Sequence, residues 1–373
     1  MTMEKPTQHL RILFISRAFP PVVGGIEKQN FEIYKHLSEI ADVKLIANRY
    51  GKHFLPLFLL YSIVYVLLKS RHYDVLLLGD GVLAIIAWVM SRIKRSPLVF
   101  CIIHGLDLTF QKSIYQNLWV RRFLPVVDVL LPVSHQTALE AQKRGLREDR
   151  CRVIPNGVNP DDFTTKRDLH RLKVLLGKSV EAKCIILTVG RLIARKGVHW
   201  FVENVMPVLD KDIVYIIAGD GPIRKNIEGI VKRKGLETRV HMLGQVNNND
   251  LLTLYSTADI FVQPNVPVEN DMEGFGLVVL EAGASGLPVV ASRIEGLIDA
   301  ISDGDNGELV TPCNVNEYVQ HIHMLFRDPE SRYAKGQSAL SYVRQHFTWK
   351  VIAERYLNVF YEALYQQPPK KLK

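Results

Sequence analysis

The chain has 373 residues, 47% hydrophobic and 23% charged, which excludes a disordered protein and suits two domains of roughly 150 residues each. The net charge of +9 is unevenly placed: residues 1–156 hold 21 Lys and Arg against 12 Asp and Glu, and residues 157–373 hold 26 of each. Cys101, Cys151, Cys184 and Cys313 lack Cys-x-x-Cys spacing and a companion histidine cluster, which argues against a disulfide framework or a zinc site.

Met1–Leu10 is polar and has no apolar core of a secretion signal, so a cytoplasmic protein is expected. Short apolar runs then alternate with amphipathic stretches. Strands are predicted at Arg11–Ser16, Val43–Ala47, Asp74–Leu78, Leu98–Ile103 and Val129–Val133. A turn at Pro155-Asn156-Gly157 and a charged stretch from Asp161 to Lys183 follow, and the pattern restarts. The second set is Ile185–Val189, Ile213–Ala218, Arg239–Leu243, Asp259–Gln263 and Pro288–Ala291, with helices at Val198–Leu209, Ile223–Arg233 and Asn249–Ser256. Trp349–Tyr365 reads as a terminal helix, and Pro368–Lys373 as a disordered tail. Strand–helix alternation of this kind predicts an α/β protein of two doubly wound parallel sheets. Ligands bind beyond the carboxyl ends of such strands, so the expected site is a cleft between the two sets of ends.

The loops after strands hold the candidate residues. Gly24-Gly25 follows the first strand, and such a turn lets a ligand approach the backbone, although any tight strand-to-helix turn uses glycine. His104-Gly105-Leu106-Asp107 follows the fourth strand; a lone histidine is more often a satisfied buried one. Gly190-Arg191-Leu192 and Arg195-Lys196-Gly197 follow the first strand of the second set, where Arg191 and Lys196 suit phosphate oxygens. The strongest signal is Glu273 and Glu281, with Gly274 and Gly276 between them at the start of a helix. Uncapped amides there favour a phosphate, and Glu281, about two turns in, can reach a ribose. Gly177-Lys178-Ser179 lacks the upstream glycine of a P-loop, Gly219-Asp220-Gly221 lacks the third glycine of a dinucleotide fingerprint, and Asp303-Gly304-Asp305 reads as a turn, not a metal site.

Taken together, these motifs resemble the retaining glycosyltransferases of family 4, over nearly the whole chain and in the family's order. The resemblance implies the GT-B fold: two Rossmann-like domains facing across a cleft, here 1–160 and 161–348, with a C-terminal helix at 349–367 crossing back to the first. It implies that Arg191 and Lys196 bind the donor diphosphate and Glu281 the ribose. Glu273 with the backbone of Gly274, Phe275, Gly276 and Leu277 would hold donor sugar and phosphates. Gly24 and Gly25 would lie under the diphosphate, His104 against the sugar near the reacting carbon, and Gln245 and Val246 in the base-contacting loop. His104, Glu273, Arg191 and Lys196 would form the catalytic set. The family's chemistry implies a hexose moved from a UDP- or GDP-linked donor with retention of configuration, no metal and no cofactor. Leu106 between Gly105 and Asp107 departs from some relatives and weakens any role for Asp107.

On the acceptor side, Phe54–Leu68 is an almost wholly apolar run of 15 residues, short of the roughly 20 needed to span a membrane and interrupted by Pro56. It is either a core helix or an interfacial one. Basic flanks at Lys52, Lys69 and Arg71, with Arg92, Lys94, Arg95, Arg121 and Arg122 further on, favour an anionic membrane surface. The expected acceptor is therefore a lipid-linked or cell-envelope glycan, and the expected location the inner face of the membrane. A soluble acceptor and a non-catalytic binding relative are the alternatives. Nucleic acid is not expected, because no helix-turn-helix or aromatic–basic stacking pattern occurs.

Overall fold

The computed structural model describes residues 10–22, 24–93, 96–177, 184–269 and 271–366; Met1–His9, Lys94, Arg95, Lys178, Ser179 and the tail Pro368–Lys373 lie outside them. The chain divides into two compact units, one of residues 1–156 with 349–373 and one of residues 157–348.

The first unit is built on five parallel strands: β1 Arg11–Ser16, β2 Asp42–Ala47, β3 Val75–Leu78, β4 Leu98–Ile103 and β5 Val129–Pro132. Their order is β2-β1-β3-β4-β5. β3 and β5 are buried at every position, the unbroken apolar pattern of strands covered on both faces. Helix α1, Gly25–Leu37, buries Ile33 and Leu37 and carries Glu27 in its first turn and Lys35 and His36 in its last, which suits the helix dipole. The terminal helix Trp349–Gln366 belongs to this unit: Phe360 packs edge-on against Phe100 of β4, with ring centroids 4.6 Å apart.

Helix α2, Leu55–Lys69, corrects the reading of the apolar run. Pro56 does not interrupt it, because it stands in the first turn, where its missing N–H leaves no bond unmade. Single turns of 3-10 helix extend it at both ends, so Lys52–His72 is a continuous helical stretch of 21 residues. Phe58, Ser62 and Val66 form its buried face. Leu57, Leu60, Tyr61, Val64, Leu67 and Leu68 recur at helical spacing on the outside, each about half exposed or more. A core helix would hide that stripe.

The second unit carries β6 Cys184–Val189, β7 Ile213–Ala218, β8 Val240–Gly244, β9 Ile260–Gln263, β10 Val289–Ser292 and β11 Glu308–Val310, in the order β11-β10-β9-β6-β7-β8, all parallel. Its core gathers Ile186, Phe201, Tyr215, Val262 and Tyr318 between sheet and helices. Three helices of this unit matter below: α3 Val198–Asn204, α4 Asn248–Thr257 and α5 Leu277–Ala284.

Candidate active site

Strand order reverses beside β6 in the second unit. β7 and β8 lie on one side of it, and β9, β10 and β11 on the other. Loops leaving β6 and β9 therefore diverge and open a crevice at their carboxyl ends. The site residues of this unit gather there.

The loop after β6 turns through Gly190, makes one 3-10 turn over Ala194–Lys196, and enters α3 through Gly197. Gly197 has φ +66°, and a Cβ there would stand 1.7 Å from the Pro264 carbonyl oxygen. The two loops are thus pressed together at a point that admits only glycine. That contact carries Arg195 and Lys196 over the segment that follows β9. Glu273 Oε2 accepts from Lys196 Nζ at 2.6 Å, Arg195 Nη1 at 2.5 Å and Asn265 Nδ2 at 2.9 Å. Glu273 and Lys196 are both buried, at 8% and 9% exposure. Burial alone pushes the Glu273 carboxyl up, but Lys196 and Arg195 outweigh it, and the group is held at about 2. Glu273 is therefore an ionised anchor.

Supporting groups fix the clamp. Arg195 Nε donates to Asp271 Oδ1 at 3.0 Å, and Gln263 Nε2 donates to Asn265 Oδ1 at 2.6 Å. Glu295 adopts φ +51°, uncommon for a residue with a side chain, and its Oε2 accepts from the Glu273 backbone N–H at 2.5 Å. The Gly296 N–H in turn donates to the Glu273 carbonyl at 3.1 Å. Burial raises the Glu295 carboxyl above its ordinary value.

Past Glu273 the chain enters α5 through Gly276, at φ +79°, and no side chain caps the first turn. Amides at that end remain available to an anion. Phe275 is buried with its ring 6.1 Å from Phe347, so only its backbone is offered. Glu281 lies further along α5 and accepts from Tyr255 Oη of α4 at 2.9 Å. The Arg191 side chain is exposed and has no hydrogen bond or ion pair among the described residues. Lys196 spends one of its three N–H donors on Glu273 and keeps the others. Gln245 is exposed and Val246 half-buried, just after β8. Asp303 and Asp305 belong to a turn: Asp303 pairs with Arg293 and accepts from the Leu309 N–H, and Asp305 accepts from Ser302 Oγ.

The first unit has its own reversal, between β1 and β3. Arg17, just after β1, donates from Nε to Asp80 Oδ1 at 2.9 Å, and the Val82 N–H donates to the same oxygen at 2.9 Å. Asp80 is fully buried and its Oδ2 has no partner among the described residues. Burial pushes its carboxyl above the ordinary value, Arg17 pulls it back, and Asp107 adds to the rise. His104 Nε2 lies 3.0 Å from the Gly79 carbonyl oxygen, and its backbone N–H donates to Asp107 Oδ2 at 3.0 Å. Gly24 and Gly25 open α1, and a Cβ at Gly25 would meet nothing within 4 Å.

Two family models match the chain: "Glycosyl transferases group 1" over residues 177–340, and "Glycosyltransferase Family 4" over residues 23–162. A D-inositol 3-phosphate glycosyltransferase of Corynebacterium efficiens is 30% identical over 74% of this chain and 68% of its own length. The chain belongs to glycosyltransferase family 4. Within the family, an uncharacterised glycosyltransferase of Methanocaldococcus jannaschii is 32% identical over 57% of this chain and 54% of its own length. An alpha-D-kanosaminyltransferase of Streptomyces kanamyceticus is 26% identical over 70% of this chain and 69% of its own. The chain spans only about half the length of several curated relatives it matches. Among solved structures, HepE of Anabaena, crystallised with UDP, superposes with a TM-score of 0.74 at 21% identity, covering 95% of this chain and all of that one. The catalytic domain of starch synthase IV from Arabidopsis thaliana gives 0.76 at 16% identity, over 96% and 100%. The fold is GT-B, made of two parallel-sheet α/β domains.

Sequence reasoning named Lys196 and Glu273 but not their bond, and it gave no role to Arg195, Asn265, Asp271, Glu295, Arg17 or Asp80. The available signal was position: each follows a strand's carboxyl end or lies in a loop that returns to one.

Proposed function

We propose that the protein transfers a hexose from a UDP- or GDP-linked donor to a lipid-linked or cell-envelope glycan, with retention of configuration and without a metal, at the inner face of a membrane. The observation that carries the donor half is the buried Glu273 carboxylate holding Lys196 and Arg195 at the crevice beside β6. Those cations, the exposed Arg191 and the uncapped first turn of α5 supply positive charge where a departing diphosphate needs it. In the transfer, the bond from the sugar's anomeric carbon to the diphosphate oxygen breaks and a bond to the acceptor oxygen forms on the same face. The acceptor's proton leaves with the diphosphate. Glu281 takes the ribose, and the backbone of Gly274–Leu277 lies along the phosphates. HepE is a structural neighbour crystallised with UDP and glucose, which supports a nucleotide-sugar donor.

The acceptor half rests on the exposed apolar stripe of α2 and the basic excess of residues 1–156. Relatives named for D-inositol 3-phosphate favour the second reading, a small phosphorylated acceptor.

Thermal shift against UDP, GDP, ADP and their sugar conjugates tests the donor. A ligand at one hundred times its Kd stabilises by about 2.7 kcal/mol, and Lys196→Ala should diminish that effect and lower turnover. Anomeric proton couplings of the product test retention. No shift with any nucleotide, or one unchanged in Lys196→Ala, would overturn the donor assignment.

A further inference from the structure

A cavity of about 610 Å³ lies in the first unit between edge strand β2 and the first half of α2. It is of the size that small ligands occupy. Its walls include Ile46 and Ala47 of β2 and Phe54, Leu57, Phe58 and Tyr61 of the α2 stretch. No acidic side chain lines it, whereas Lys44 and Arg49 do. Neither cation has an ion pair or hydrogen bond among the described residues; Arg49 lies over the Phe19 ring, 5.7 Å from its centroid. An apolar pocket with two uncommitted cations matches a molecule with an apolar chain and an anionic head.

Placement gives the pocket a direction. Ala47 pairs with Ser16 of β1, the residue just before Arg17. The pocket therefore ends one strand away from the crevice of this unit, and Arg49 leans over the loop that leaves β1. Its outer wall is the helix that carries the exposed apolar stripe, and Leu57 and Tyr61 belong to both.

We propose that this pocket takes the hydrocarbon chain of a lipid phosphate, the lipid-linked acceptor itself, with Arg49 on its phosphate. This deepens the membrane reading above and rests on it for biological context, but its chemistry can be measured without a membrane. The probes are monomeric alkyl phosphates of six, eight and ten carbons, with inorganic phosphate and octyl glucoside as controls, titrated into the full chain by calorimetry. Each added methylene should tighten binding about fourfold. Octyl glucoside should bind at least tenfold more weakly than octyl phosphate, and inorganic phosphate should not compete. Ala47→Trp, which fills the pocket from the strand, and Leu57→Trp, which fills it from the exposed helix wall, should each weaken decyl phosphate at least tenfold. Leu57→Trp keeps the proposal testable if Ala47→Trp fails to fold.

Binding without chain-length dependence, equal binding of the glucoside, or full affinity in a folded filling variant would each overturn the proposal. Sedimentation with anionic vesicles separates the two readings. A chain that binds decyl phosphate in this pattern yet does not sediment keeps the pocket and loses the membrane. One that sediments but fails the titration keeps the membrane and loses the pocket.

Discussion

Replacing Glu273 by glutamine keeps the shape of the clamp and removes its charge. The wild-type carboxyl is held at about 2 against an ordinary 4.5. That difference corresponds to about 3 kcal/mol of folding stability at neutral pH, and the side chain is only 10% exposed, so little is lost to solvent screening. Removing one partner of a buried pair costs a comparable ~3–5 kcal/mol, because Lys196 and Arg195 are left without their counter-charge. The sign follows from the depressed carboxyl. Its contribution is full above the unfolded value near 4.5 and is lost as pH falls through the folded value near 2. At pH 3.5 the unfolded chain has taken up most of a proton and the folded one almost none, which leaves about 2 of the 3 kcal/mol. Urea unfolding of the wild type and Glu273→Gln at pH 7, 5 and 3.5 measures the gap directly. We expect about 3 kcal/mol at pH 7 and pH 5, narrowing to about 2 at pH 3.5. A gap under ~1 kcal/mol at pH 7, or one that stays constant down to pH 3.5, would show that the Glu273 charge does not hold the clamp.

Two further substitutions probe the surrounding geometry. Gly197→Ala forces a Cβ to within 1.7 Å of the Pro264 carbonyl oxygen at a backbone φ of +66°. It should cost roughly 3 kcal/mol or more in urea unfolding, through the contact and the backbone together, and weaken nucleotide binding by moving Lys196. Tyr255→Phe removes the hydroxyl that donates to Glu281 Oε2 at 2.9 Å. A loss of about 1.5–3 kcal/mol, in the range for a hydrogen bond to a charged group, should appear in the same assay, and ribonucleotides should bind more weakly as Glu281 loses its orientation.

Strand positions were legible because buried parallel strands are short apolar runs. Arg11–Ser16, Leu98–Ile103 and Ile213–Ala218 stand where the pattern places them, residue for residue. β11 escaped because Glu308–Val310 offers only two apolar residues on an edge. Phe54–Leu68 was legible as an apolar helix, and its basic flanks favoured an exposed one, but not which of its faces is bare. Composition reports how apolar a run is, and only packing reports which of its faces is covered. Pro56 misled because a proline in the first turn and one in a helix interior look alike until the helix start is known. The clamp was hidden for a different reason. Lys196 and Glu273 are 77 residues apart, and Glu295 is a further 22 from Glu273. No periodicity links them, and they meet only because β6 and β9 are neighbours in the sheet.

Both units place a carboxyl at the point where strand order reverses, and its neighbours decide what each can do. Glu273 has two cations and an amide on one oxygen, so it stays ionised despite burial and serves to position Lys196 and Arg195. Asp80 has one guanidinium and a backbone amide, with a second carboxyl close by at Asp107, and burial pushes it up. A low carboxyl that gathers cations suits a site for a diphosphate. A raised one, sealed from solvent with Oδ2 lacking a partner among the described residues, serves instead to hold Arg17 and the Val82 amide in place. One βαβ scaffold used twice thus yields two buried acids of opposite character, and the difference lies in how many cations the flanking loops deliver to each.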